Sequence, residues 1–217
     1  MGLVLRDNLS FCVVDQHVLF LDVASDKYFG VNESTSAGFL RVTRGEPLEN
    51  HYSELSALIE RGYIVGENPE AQPCIPDPPI ARSGCIRTNS SPQRADIAKG
   101  LIALGHSALV IKSCSLLTII DDIRRRKRKP IVVGSSERSH VLANALKSLN
   151  SVVSVHDRCF LYSLALTKLL LSAGISPTLV FGVKLAPFSA HCWVQDNEYV
   201  LSDEPDHIRL FTPILAV

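Results

Sequence analysis

The sequence predicts an α+β protein in two parts, a small N-terminal module and a larger C-terminal domain joined by a linker. Three observations predict it. Short β-rich runs crowd residues 10–32, apolar residues at helical spacing recur from 96 to 172, and a proline-rich stretch between them has no apolar periodicity. At 217 residues and 23.8 kDa the chain is long enough for one large domain or two small ones.

In the first part, "SFCVV" and "HVLFLDV" are separated by Asp15-Gln16, and "ASD" leads into "KYFGVN". Such runs, bounded by polar turn residues, predict a three-stranded meander. Asn32 or Ser34 can cap a helix running to about Thr43, with Gly45 closing it. In "PLENHYSELSALIERGYIV", Leu55, Leu58 and Ile59 form an i, i+3, i+4 apolar stripe, and Gly62 sits where a C-cap belongs. Residues 1–66 therefore read as a small unit with little core and no cluster of acids, histidines or cysteines suited to catalysis. It is either a structural unit or a binding module whose last strand is an exposed sheet edge.

The linker, residues 67–95, carries Pro69, Pro73, Pro76, Pro78, Pro79 and Pro92 with Gly and Ser between them. The second domain, 96–217, opens with a helical stretch to roughly Lys127, since Ile97, Leu101, Leu104, Ala108 and Ile111 keep helical spacing. "ERSHVLANALKSL" is a further helix with Leu142, Leu146 and Leu149 on one side. Asp157 is a candidate N-cap for a helix that buries Phe160, Leu164, Leu166, Leu169 and Leu170 and ends at Gly174. "TLVFGVKL" is a strand, and "FSAHCWVQDNEYVLSDEPD" supplies the next two.

Composition narrows the function. Apolar residues make up 46% and charged residues 20%, with zero formal net charge, so long-range attraction to nucleic acid or an anionic membrane is not indicated. The basic run Arg124–Lys129 reads as a solvated helix end that complements the helix dipole. No segment reaches the apolar length of a membrane span, and the start lacks a secretory pattern, so the protein is expected to be cytoplasmic. Six scattered cysteines without a C-x-x-C pair argue against a disulfide framework, and most are expected to be small buried hydrophobes. His156, Cys159, His191 and Cys192 could converge on a metal, but their spacing is not that of a zinc site, and no metal or organic cofactor is expected.

Cys159 falls in the first turn of a helix. There the unpaired backbone N–H groups and the positive dipole end stabilise an anion, lower a thiol's pKa and can hold an oxyanion. A helix start alone does not distinguish a nucleophile from a packed cysteine. A histidine on a following strand, His191, and a carboxylate beyond it, Asp203, complete a Cys-His-Asp arrangement. Histidine can take the thiol proton and return it to a leaving amine, and the carboxylate fixes its tautomer. Asp196, in the turn, and Asp206, beyond Pro205, are the weaker carboxylate candidates. Trp193 is expected to shield the site; Gln195 could help hold an oxyanion but reads as an ordinary solvent-facing strand residue, and His156 could assist but reads as a helix-entry residue.

The stretch "DRCFLYSLAL…LVFGV…PFSAHCWVQ…VLSD" resembles the leader peptidases, or B proteins, of lasso-peptide biosynthesis, which have a papain/transglutaminase-like cysteine protease domain. "VLFLDVASDKYFGVNESTSAGFLR" looks like the small PqqD-like, winged-helix-type leader-recognition module that fused B proteins carry. Cys192 departs from the pattern, which has a small or polar residue after the histidine. The resemblance implies Cys159 as nucleophile, His191 as general base and acid, and Asp203 as the group orienting the imidazole. It also implies a precursor leader peptide held by Tyr28, Phe29, Gly30, Val31, Leu55, Leu58 and Ile59, and an ATP-dependent lasso cyclase as partner. A transglutaminase-type acyl transferase and a non-catalytic peptide-binding protein stay open as alternatives.

The hairpin register makes a sharper expectation. A two-residue turn at Asp196-Asn197 would place Asp203 on the face opposite His191, because successive side chains alternate faces. An opposed pair therefore predicts a three-residue connection, Asp196 to Glu198, or a bulge near it, with Gln195 facing Tyr199 and Trp193 facing Leu201.

Overall fold

Asp15 and Gln16 both take positive φ (48° and 66°), the two-residue turn geometry that matches the twist of paired antiparallel strands. A computed structural model of the chain describes residues 2–68, 78, 81, 83–85, 91–128, 136–149 and 159–217. The chain divides into two compact units, Met1–Pro76 and Asp77–Val217.

In the first unit β1 (Gly2–Leu5) precedes the expected meander of β2 (Leu9–Val14), β3 (His17–Asp22) and β4 (Lys27–Gly30), in sheet order β2-β3-β4. Helix α1 (Glu33–Thr43) begins where Asn32 accepts a hydrogen bond from the Thr35 N–H at 2.8 Å. A 3-10 turn (Leu48–His51) runs into α2 (Tyr52–Glu60), and Gly62 leaves it at φ 67°. Strand β5 (Ile64–Asn68) pairs antiparallel with β1 in a second, two-stranded sheet that the sequence reading did not anticipate. Glycine in "IVGEN" and the shortness of "GLVL" hide both strands from pattern reasoning.

Phe11, Phe20 and Phe39 meet edge-on or tilted at centroid distances of 5.0–6.3 Å and form the centre of this unit's core with Leu3, Leu55 and Leu58. Leu55 and Leu58 are fully buried, which corrects their expected place in a peptide-binding surface. The stripe that they form turns inward because burying it is what holds a nine-residue helix. Ile59 is only partly buried, as are Phe29 and Val31.

The second unit is built around one helix. It comprises β6 (Ser83–Gly84), α3 (Arg94–Ser113), α4 (Leu116–Lys127), α5 (Ser136–Lys147), α6 (Cys159–Ser172), β7 (Thr178–Lys184), β8 (Ser189–Asp196), β9 (Tyr199–Val200), α7 (Pro205–Ile208) and β10 (Thr212–Ala216). The sheet order is β10-β7-β8-β9-β6. Helix α6 packs against α3, α4 and α5, and against β7 and β8. Residues Tyr162 to Thr167 are all buried, as expected of a helix apolar all round.

The helical stretch read as continuous to Lys127 breaks at Cys114, whose backbone is extended, and Ser115 caps the new helix by accepting from the Thr118 N–H. The basic run does close α4, where Arg126 reaches back to Asp122 at 2.8 Å. At the other end of α3, Asp96 is buried and takes a two-point contact from Arg138 of α5 (2.6 and 3.0 Å). Ser83–Gly84, read as linker, pairs parallel with Tyr199–Val200. A two-residue strand between prolines carries too little pattern to be seen in sequence. Strand β10 and the single turn α7 are likewise too short to stand out in the sequence. At the ends of the expected linker, Glu67 and Asn68 belong to β5 and Arg94 and Ala95 to α3, and Asp157 and His156 lie outside the described residues. No helix among the described residues is long and apolar enough to cross a membrane.

Candidate active site

Cys159 is the first residue of α6, and one turn further along the same helix Ser163 donates a hydrogen bond to the Cys192 carbonyl at 3.2 Å. That bond ties the start of α6 to the strand that carries His191. Both ends of it are buried, so the spacing between thiol and imidazole is held by rigid elements. The neighbouring Cys192 is itself buried.

The register differs from the expected one. Gln195 pairs with Val200 and Asp196 with Tyr199, so the turn is a two-residue one at Asn197-Glu198, with Asn197 at φ 51°. Continued alternation would send Asp203 to the far face. The ladder instead stops at Val200. The Leu201 N–H still reaches the Val194 carbonyl (2.8 Å), the Ser202 hydroxyl accepts from the Val194 N–H (2.8 Å), and the chain then bends. Asp203 thereby reaches His191 from outside the sheet, and a bend does what a bulged register was expected to do.

His191 Nε2 donates to Asp203 Oδ2 at 2.5 Å. The same oxygen accepts from His207 Nδ1 at 2.9 Å, and Asp203 Oδ1 accepts from the Glu204 N–H at 2.7 Å. Burial works against the ionised carboxyl, but these donors outweigh it and hold Asp203 down at about 2. Neither Asp196 nor Asp206 has this position; Asp206 pairs with Arg209 instead.

The Cys159 thiol is pulled down to about 4, first by a hydrogen bond from the Cys192 thiol and then, against burial, by His191 and the Cys192 N–H. Burial alone would lower His191, yet its bonds to Asp203 and Cys159 raise it to about 9. Between those values the pair stands as thiolate and imidazolium. Cys192 moves the other way, well above the ordinary thiol range, because a neighbouring thiolate and burial both oppose its ionisation. Of the two adjacent candidate thiols, only Cys159 is electrostatically prepared to be a nucleophile.

Trp193 is 2% exposed, and its ring lies 6.2 Å from the His191 ring at 21°. Its indole N–H donates to Gln195 Oε1 at 2.6 Å. Gln195 is therefore a buried positioning partner of the indole, not the solvent-facing residue expected. Room for Trp193 comes from Gly182, which pairs with His191 across the ladder. A Cβ there would lie 2.7 Å from Trp193 Cζ3 and 3.0 Å from Phe211 Cβ.

Cys159, His191 and Asp203 line a cleft of about 660 Å³, together with Tyr162, Lys184, His207 and Phe211. That volume suits a few residues of extended peptide. Lys184, His207 and Phe211 were missed in the sequence, although Pro205 at the first position of a helix, with His207 four residues after Asp203, was a readable signal. His191, Asp203 and His207 offer donor atoms within 4.8 Å of one another and could hold a metal ion, but two hydrogen bonds already join them. Of the described cysteines, Cys12 and Cys192 are the buried ones, and Cys114 is exposed.

The chain resembles known proteins. A family model for the transglutaminase-like superfamily matches residues 101–216. The microcin J25-processing protein McjB of Escherichia coli is 31% identical over 75 residues, which cover 33% of this chain and 36% of McjB. The matched part thus spans about a third of that relative's length. No solved structure matches the chain. The superfamily match takes in α6, β7, β8 and the Asp203 bend, more than half of the sequence, and so the chain belongs to the transglutaminase-like superfamily.

Proposed function

We propose that this protein is a leader peptidase of lasso-peptide biosynthesis, which cleaves the bond between leader and core of a ribosomally made precursor. The observation that carries the reading is the Cys159 thiolate at a helix start, in contact with an imidazolium that Asp203 orients. The similarity to McjB, a processing protein by its name, supports the choice of substrate class.

In this reading the thiolate attacks the scissile carbonyl, and its charge passes to the carbonyl oxygen, where backbone N–H groups at the start of α6 can receive it. His191 gives its proton to the departing amine, the C–N bond breaks, and a thioester remains on Cys159. Neutral His191 then takes a proton from water, whose oxygen attacks the thioester. The leader leaves as a carboxylic acid that loses its proton to solvent, and Cys159 returns as thiolate beside the imidazolium. The freed core amine is the substrate of an ATP-dependent macrolactam cyclase, the proposed partner. The first unit is the proposed leader-recognition module. Its β4, with Tyr28, Phe29, Gly30 and the adjoining Val31, lies at the edge of a three-stranded sheet, where an extended peptide can add as a further strand.

Mass spectrometry of a lasso precursor incubated with the protein tests the reading. Separate leader and core masses are expected, with none from Cys159→Ala. If added primary amine became joined to the leader in preference to water, acyl transfer would replace hydrolysis. Binding without any new mass would reduce the protein to a peptide carrier.

A further inference from the structure

We infer that His207 is a positioning residue of the site, which holds the carboxylate of Asp203 in the one orientation that serves His191. The kinetic part of this inference rests on the peptidase reading; the part concerning Cys159 reactivity does not.

Asp203 lies three residues beyond the end of β9, in the bend before α7, so no regular element fixes its side chain. Each of its oxygens is instead pinned separately. The Glu204 N–H, at the start of α7, holds Oδ1. Oδ2 accepts from two imidazoles at once, His191 at 2.5 Å and His207 at 2.9 Å. The one-turn α7, begun by Pro205, places His207 four residues after Asp203 and so brings Nδ1 back onto it.

The ring of His207 also covers the His191–Asp203 bond. It meets His191 edge-on at 4.9 Å and Phe211 edge-on at 5.5 Å. Its side chain is 48% exposed against 15% for His191 and 18% for Asp203, so it is the layer between that bond and solvent. A carboxylate that accepts from one donor only can rotate and admit water. Two donors on one oxygen and a third on the other remove that freedom, and the imidazole gains a fixed partner.

The titratable groups facing Asp203 are His191 from β8 and His207 from α7, with Cys159 of α6 and Cys192 of β8 behind His191. Lys184 of β7 lies over the Phe211 ring, 5.3 Å from its centroid. Removing His207 takes one stabilising donor from the Asp203 carboxylate, so the site loses its ordered form at a higher pH than before.

The test compares His207→Ala, His207→Phe and His207→Asn in the full chain, after thermal melts and near-UV spectra show each is folded. Phenylalanine keeps the ring packing and loses the donor; asparagine keeps a donor and loses the ring. The first readout needs no substrate. Iodoacetamide alkylation of Cys159, followed by intact mass, should be about threefold slower on the acid limb for Ala and Phe, with Asn close to wild type. The second is precursor cleavage, where kcat should fall about tenfold for Ala and Phe with little change in KM. Alkylation and kcat at wild-type level in all three variants would overturn the inference, as would rescue by Phe but not by Asn, which would mean packing alone. If the wild-type protein cleaves no precursor yet the alkylation order holds, the peptidase reading fails and the role of His207 stands.

Discussion

Replacing Cys192 by alanine separates the two adjacent thiols of this site, and the structure sets the size of the effect. Cys159 is held at about 4, and the largest cause is the hydrogen bond that the Cys192 thiol donates to it. A hydrogen bond to a charged group is worth about 1.5–3 kcal/mol net. At about 1.4 kcal/mol per pKa unit, losing it moves Cys159 up by roughly one to two units. The bond from His191 and the Cys192 N–H remain, because alanine keeps the backbone. The Ser163 bond also survives, since it goes to the Cys192 carbonyl. At neutral pH Cys159 should still be ionised in roughly nine molecules of ten. The expected outcome is near wild-type cleavage and alkylation at pH 7, with the acid limb of the alkylation profile displaced to higher pH by one to two units. A profile unchanged on the acid side would show that the Cys192 thiol does not stabilise the thiolate. An inactive Cys192→Ala beside an active Cys159→Ala would exchange the roles of the two residues and sink the assignment.

Other expectations follow from the same geometry. Asp203→Asn removes the charge that helps raise His191 to about 9, so the imidazolium should be lost at lower pH and the alkaline limb should move down, with kcat reduced about a hundredfold or more; a limb that stays in place would take Asp203 out of the site. Gly182→Ala puts a methyl group 2.7 Å from Trp193, a backbone-borne clash costing about 1–3 kcal/mol that a lowered Tm should report, and the displaced indole should slow cleavage as well. Val31→Asp, at the end of the β4 edge, should weaken leader binding in fluorescence anisotropy while leaving Cys159 alkylation untouched; undiminished binding would move the peptide to another surface.

Much of this was determined by the sequence alone. Local chemistry placed the meander, because Asp15-Gln16 suits a two-residue turn, and it placed α1, because Asn32 caps it through its own side chain. Apolar density marked α6 and so put Cys159 at a helix start, and the strand "SAHCWVQ" carried His191. These features depend on neighbours in sequence, and a reader of residues can see them. What only the tertiary structure decided depends on partners far along the chain. Leu55 and Leu58 turned inward because a small unit must bury the little apolar surface it has. Gln195 became buried because the indole of Trp193 required an acceptor. Pairing between distant strands revealed β1 with β5, β6 with β9 and β10 with β7. The meeting of Asp203 with His191 was the subtlest case. Strand alternation within the hairpin forbids it, and the contact exists because the ladder ends at Val200, where backbone bonds to Val194 and the turn of α7 re-aim the chain.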